Sequence, residues 1–159
     1  MRVVLVDPSR TVLKCLTRTL VTQGHNVHSF TDGTEALEYV KLNPLVDALI
    51  TSAQLSPMSG QELCLEVRRV ASGRRPIYIL LMSSSDEHRN LIEALDNGAD
   101  DFISKPPNPE ELYARLRAAN RIVLNRVVVG ECMLDVTDYD GSKSAVRSGS
   151  RDLQKSAAA

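Results

Sequence analysis

The sequence predicts an α/β fold, a doubly wound five-stranded parallel sheet with helices on both faces. Two observations carry this. Through the first 125 residues, short β-branched runs alternate with amphipathic stretches in five consecutive strand–helix units, a pattern that demands parallel strands and right-handed crossovers. All seven prolines also fall outside the interiors of the helices so assigned, where each would remove a hydrogen bond and clash with the preceding turn.

Val3-Val4-Leu5-Val6 is a continuous apolar run, as expected of a strand buried on both faces. A helix follows from about Ser9 to Gln23, with Val12, Leu13, Leu16 and Leu20 on one face and Gly24 as its stop. Val27 to Phe30 forms the second strand. A short helix from Asp32 to about Lys41 shows Ala36, Leu37 and Val40 and ends at Asn43-Pro44. Residues 47–51 read as the central strand, and Leu63, Val67 and Val70 mark the next helix. Ile77 to Met82 is the most hydrophobic strand, followed by a helix carrying Leu91, Ile92 and Leu95 and closed by Gly98. Phe102-Ile103-Ser104 is the fifth strand. The last helix has Asn108 as cap, Pro109 in its first turn and Glu110 and Glu111 at the positive end of its dipole, with Leu112, Leu116, Ala119 and Val123 as its buried stripe.

Beyond Asn125 the pattern changes. Residues 126–136 read as one or two strands around Gly130, within an extension over 126–140 that could open an effector region. Residues 141–159 are rich in Ser, Gly and Ala without apolar period, so a flexible tail is expected there. It could be a linker, a truncated end or residues foreign to the native protein.

A chain of 159 residues and 17.5 kDa has room for one domain and a short extra segment. With 43% hydrophobic and 25% charged residues, it is not disordered throughout. A net charge of −1 argues against coating nucleic acid or a membrane surface by bulk charge. No apolar run approaches the roughly 18 residues of a membrane span. Cys15, Cys64 and Cys132 lack metal-ligand spacing, and His25, His28 and His88 are scattered, so no metal site is expected. Cys15 and Cys64 fall in helical patterns and read as buried, inert thiols of a reduced, cytoplasmic protein.

In an open α/β sheet, ligands bind beyond the carboxyl ends of the strands, where the strand order reverses. The residues there are Asp7-Pro8, Ser52, Ser83-Ser84 and Lys105-Pro106. Four motifs surround them in order: VLVDPSRT, ALITSAQLSPMSGQEL, LLMSSSDEH and NGADDFISKPPNPEEL. Over residues 1–125 the chain resembles a response-regulator receiver domain of two-component systems, with the CheY-like (flavodoxin-like) fold. The resemblance implies an aspartate after the third strand that accepts a phosphoryl group from a histidine kinase. It further implies an acidic pair after the first strand that binds Mg²⁺, a lysine and a Ser/Thr that hold the phosphoryl oxygens, and an aromatic that changes rotamer.

Matched residue by residue, the chain departs from that pattern. Asp7 fits the first acid of the pair, but Pro8 stands at the second and offers no ligand. Ser52 holds the acceptor position, counted back from the turn at 57–60. Lys105 and Ser83 are retained, and Phe102 fits the switch aromatic. A serine needs a base that these loops do not supply, and its phosphate would be a stable ester. Lys105, without the acceptor carboxylate, is expected to pair with Asp7. The pocket therefore reads as a degenerate phosphorylation site with weak or absent Mg²⁺ binding and no other cofactor.

Competing readings stay open for each residue. Asp7 can serve only as a cap of the first helix. Lys105-Pro106 can be kept for its turn, with a cis bond as in the family. Ser52 and Ser83 can be hydrogen-bonding loop residues, Phe102 ordinary core, and Arg115, Arg117, Arg121 and Arg126 a solvated helix face. Asp47, at the start of the central strand, lies at the wrong end of the sheet to replace the acceptor. No phosphate-cradling or nucleophile-elbow motif supports an enzyme. The segment after residue 125 is too short and polar for a DNA-binding effector. The sequence thus favours a pseudo-receiver, a signalling module that acts by protein–protein contact without phosphorylation. The alternatives are a phosphorelay receiver with a non-standard acceptor and the regulatory domain of a larger effector. Its expected partner is a signalling protein, such as a histidine kinase or an effector. The resemblance adds a homodimer through the fourth helix, fifth strand and fifth helix (residues 86–97, 102–104 and 109–123), with no membrane or direct nucleic-acid contact.

Overall fold

The computed structural model describes residues 1–84, 92 and 95–137, the stretch 126–137 by its backbone path alone. Five strands, β1 (Arg2–Val6), β2 (Asn26–Phe30), β3 (Ala48–Ser52), β4 (Tyr78–Ser84) and β5 (Asp101–Lys105), form one parallel sheet in the order β2-β1-β3-β4-β5. Helices α1 (Arg10–Thr22), α2 (Gly33–Leu42) and α3 (Gly60–Ala71) and a C-terminal helix (Pro109–Thr137) cover it. The doubly wound fold expected from the sequence is therefore present.

The two-residue period of each strand divides the core into two layers. Val4, Val6, Leu49, Ile79 and Leu81 face α2 and α3 and meet Leu37, Val40, Leu63 and Val67. Val3, Leu5, Ile50, Leu80 and Met82 face the opposite way, onto Leu13, Leu16 and Leu20 of α1 and Leu112, Leu116 and Val123 of the C-terminal helix. Every residue of β3 is buried, as its central place requires.

Helix ends follow from local chemistry. Ser9 caps α1 by accepting from the Val12 N–H, and Asp32 caps α2. Ser59 and Glu62 form a reciprocal capping box on α3, and the two Ser59 donors hold the Glu62 carboxyl below its usual range. Gly24, at φ +82°, lets the chain leave α1 where other residues would be strained.

Two expectations are corrected. Cys15 is exposed, because the buried stripe of α1 is Leu13, Leu16 and Leu20 and position 15 lies off it; Cys64 alone of the pair is buried. Residues 126–136 are not strands, since the C-terminal helix runs unbroken to Thr137. Extending an existing helix adds one hydrogen bond per residue, whereas a strand needs a paired neighbour to satisfy its backbone. Part of the expected helix over 86–97 and all of the tail over 141–159 lie outside the described residues. Ile92 and Leu95 are helical and exposed. No helix among the described residues is long and apolar enough to cross a membrane.

Candidate functional site

The strand order reverses its sense of growth between β1 and β3, and the residues just past their carboxyl ends converge there with the end of β5. Asp7 follows β1, and its N–H still donates to the Phe30 carbonyl at 3.1 Å, so the sheet fixes its backbone. Ser52 closes β3 and Lys105 closes β5. Asp7 and Ser52 are each 1% exposed, while the Lys105 side chain keeps 26% of its surface in solvent.

The Lys105 ammonium ties these residues together. Its Nζ donates to Asp7 Oδ2 at 2.5 Å and to Ser52 Oγ at 2.7 Å. The Ser52 hydroxyl in turn donates to the Gln54 carbonyl at 3.1 Å. Its oxygen thus accepts a charged donor while its proton is directed onto backbone. Asp7 Oδ1 accepts the Ser9 N–H at 2.8 Å, so both carboxylate oxygens are engaged. The helix cap itself is Ser9, which corrects the reading of Asp7 as the cap. The pairing of Lys105 with Asp7 expected from the sequence is present.

Pro8 is exposed and carries no donor or ligand atom on its side chain. Ser83 is buried on β4, in register with Ser104, one step before the Ser84–Lys105 pair. Phe102 is half-buried on β5 in register with Leu81. The Lys105-Pro106 peptide is cis, and so is Ser56-Pro57, which no motif in the sequence announces. Asp47 lies at the amino end of β3, where it accepts from the Arg2 N–H and pairs with Arg75, far from the pocket.

Mg²⁺ takes near-octahedral oxygen ligation, with one or two carboxylates plus substrate oxygens. The described residues of this pocket supply one carboxylate, already held by an ammonium and an N–H, beside a proline and a serine. That donor set does not fit the ion.

Two contributors escape a reading of the sequence alone. Gln54 acts through its carbonyl, which no side-chain pattern can announce. Gly60 presses against the acceptor loop: a Cβ there would lie 2.0 Å from the Ser52 carbonyl oxygen, so only glycine allows α3 to start against β3. Its N–H donates to the Ala53 carbonyl at 2.9 Å. The NGAD motif is explained by Arg68, whose guanidinium donates to the Gly98 and Ile77 carbonyls and pairs with Asp100. On the C-terminal helix, Arg115 is no solvated charge, because it pairs with Asp101 and Glu111; Arg117 lies over the Tyr113 ring. Those two carboxylates hold the Arg115 guanidinium charged against the opposing effect of burial, while burial and Asp101 push the Tyr78 phenol well up.

Comparison with known proteins agrees with the fold and the motifs. The profile of the response regulator receiver domain matches residues 3–117. The chain is 36% identical over 121 residues to the response regulator MprA of Mycobacterium leprae (strain TN), covering 76% of this chain and 51% of that protein. It spans about half the length of the curated relatives it matches. Among solved structures, a two-component response regulator from Clostridium difficile superposes with a TM-score of 0.70 at 26% identity, covering 76% of this chain and 96% of that one. The chemotaxis protein CheY4 of Vibrio cholerae gives 0.68 at 28% identity, covering 74% and 97%. With its sheet order, its pocket at the switch point and most of its length matched, the chain belongs to the response regulator receiver family.

Proposed function

We propose that this receiver domain is a phosphorylation-independent protein–protein interaction module of two-component signalling. The observation that supports it is the relay Asp7–Lys105–Ser52–Gln54, in which the acceptor position holds a hydroxyl already engaged on both sides. A serine nucleophile needs a base to take its proton, and the basic group beside Ser52 is an ammonium paired with a carboxylate. Phosphoryl transfer also relies on a metal to offset charge on the moving group, and Pro8 leaves the metal-binding pair with one acid. Mg²⁺ binding is accordingly weak, and the chain has no cofactor and no enzymatic activity of its own. The module holds one conformation and meets a signalling partner, a histidine kinase or an effector, in the cytoplasm, while residues 86–97, 102–104 and 109–123 offer a face for a second copy.

Intact-mass spectrometry after incubation with acetyl phosphate and Mg²⁺ tests this, with the double variant Ser52→Asp/Pro8→Asp as control. The expected result is no adduct on the natural chain and an adduct on the control. A labile phosphoryl adduct on the natural chain overturns the reading and restores ordinary phosphotransfer.

A further inference from the structure

Buried side-chain polar atoms nearly always find a partner, so those that do not call for an explanation. Among the described residues four lack a hydrogen bond: Gln23 Oε1, His25 Nδ1, Asp47 Oδ1 and Arg75 Nε. The last two belong to one ion pair, in which Arg75 reaches Asp47 Oδ1 at 3.0 Å. The first two have no such account, and both residues line the same hollow.

This hollow, of about 250 Å³, lies between the turn from α1 into β2 and the C-terminal helix. It sits at the amino ends of the strands, opposite the end that carries Asp7, Ser52 and Lys105. Its other wall is Tyr113, Arg117 and Asn120, which recur after four and three residues and so share one face of that helix. The Arg117 guanidinium lies 5.0 Å from the centroid of the Tyr113 ring, and no described carboxylate pairs with it. No acid lines the hollow among the described residues. Burial holds the His25 imidazole below its usual proton affinity, so it adds no charge near neutral pH.

We infer that this hollow binds a small 2-hydroxycarboxylate. The one unpaired guanidinium matches a single negative charge, and its planar fork of donors suits a carboxylate. The Asn120 amide offers a further donor beside it. The ligand hydroxyl donates its proton to Gln23 Oε1 and accepts from His25 in the tautomer that carries hydrogen on Nδ1. A metal ion fits poorly, because the walls hold a guanidinium and neither carboxylate nor thiolate. Inorganic phosphate brings more charge than one guanidinium balances. The volume falls below the roughly 300 Å³ at which pockets for drug-sized ligands begin, which selects a ligand of few atoms.

The test titrates the full chain with lactate, propionate and inorganic phosphate at neutral pH and follows backbone amide shifts by NMR. Lactate should give saturable shifts at residues 23–25 and 113–120, with the millimolar Kd expected of so few atoms. Propionate, which lacks only the hydroxyl, should bind about tenfold more weakly, the equivalent of one unmade hydrogen bond. Gln23→Leu should bring the two acids to equal affinity, and it leaves the helix end intact because Gln23 caps α1 through its backbone N–H. Arg117→Gln, at an exposed position, should weaken both acids about tenfold, as loss of a charged hydrogen-bond donor does. No saturable shift with lactate, equal binding of propionate to the natural chain, or tighter binding of phosphate each overturn the site. So do a hydroxyl preference that survives Gln23→Leu, an unchanged affinity in Arg117→Gln, and shifts confined to Asp7, Ser52 and Lys105. None of these outcomes bears on the phosphorylation reading, which concerns the other end of the sheet.

Discussion

The ammonium of Lys105 lies 2.5 Å from the carboxylate of Asp7, across 98 positions of sequence, and the two ends of this pair are unequally solvated. Asp7 is buried at 1% exposure, and Lys105 reaches solvent at 26%. The two truncations should therefore differ. Lys105→Met leaves a buried carboxylate without its counter-charge and should lower the unfolding free energy by about 3 kcal/mol. Asp7→Asn keeps acceptors for Ser9 and lets the lysine turn to water, so it should cost about 1 kcal/mol. Urea unfolding of both variants checks the order, and equal losses would refute the asymmetric burial.

Restoring the acceptor alone should not restore the chemistry. In Ser52→Asp the metal-binding pair still lacks the acid that Pro8 replaces, so acetyl phosphate should label this single variant far less than Ser52→Asp/Pro8→Asp. Full labelling of the single variant by intact mass would show that one acid after β1 is enough.

Gly60 and Gly73 offer a comparison of two kinds of glycine. Gly60→Ala drives a methyl group into the Ser52 carbonyl, a backbone group that cannot swing aside, and should cost about 3 kcal/mol or more. That corresponds to a fall in Tm of roughly 6–12 °C for a chain of this size. Gly73 has φ +79° with open space around it, so Gly73→Ala bears only the left-handed backbone strain of about 1 kcal/mol. Calorimetry of the pair separates collision from conformation.

Thiol chemistry should follow exposure. Burial pushes the Cys64 thiol up to about 12, so in the native chain it should stay unmodified by a disulfide reagent at mildly alkaline pH. Exposed Cys15 should react, and in a Cys132→Ser background Cys15→Ser should remove that reaction whereas Cys64→Ser should not. Native labelling lost in Cys64→Ser would contradict the buried position.

Burial first, and then the N-terminal ammonium, lower the proton affinity of His25 below its usual value of 6.5. The unfolded chain then binds the proton more readily than the folded one, so His25 withdraws stability as pH falls through about 6.5, and the loss is complete below the folded value. His25→Gln should flatten the slope of unfolding midpoint against pH between about pH 7.5 and 5.5 relative to the natural chain. An unchanged slope would assign that pH dependence to other groups.

Much of this architecture is legible in the sequence because it rests on period and punctuation. The buried stripes of α1, α2 and the C-terminal helix are i, i+3, i+4 patterns, and each helix begins or ends at a Ser, Asp, Asn or Gly where one is expected. The site is legible as positions, since Asp7 directly follows one strand and Ser52 and Lys105 each close another. Their mutual geometry is not, because the Ser52–Gln54 bond and the fit of Gly60 involve main-chain atoms common to every residue. Cys15 departs from expectation because thiols are usually buried, although its place off the Leu13–Leu16–Leu20 stripe already points outward. Residues 126–136 depart from it because Val127-Val128-Val129 favours strands locally, a preference that a preformed helix end overrides.

The uninterrupted C-terminal helix also sets the phase of whatever is attached past Thr137. From Val123, the last core residue of its stripe, the rod continues for 14 residues, roughly 21 Å. A tilt of the receiver is carried along that lever as displacement, and its azimuth as rotation. Inserting a single residue beyond Val123 would turn the attached segment by about 100°, while inserting seven would return it nearly to register.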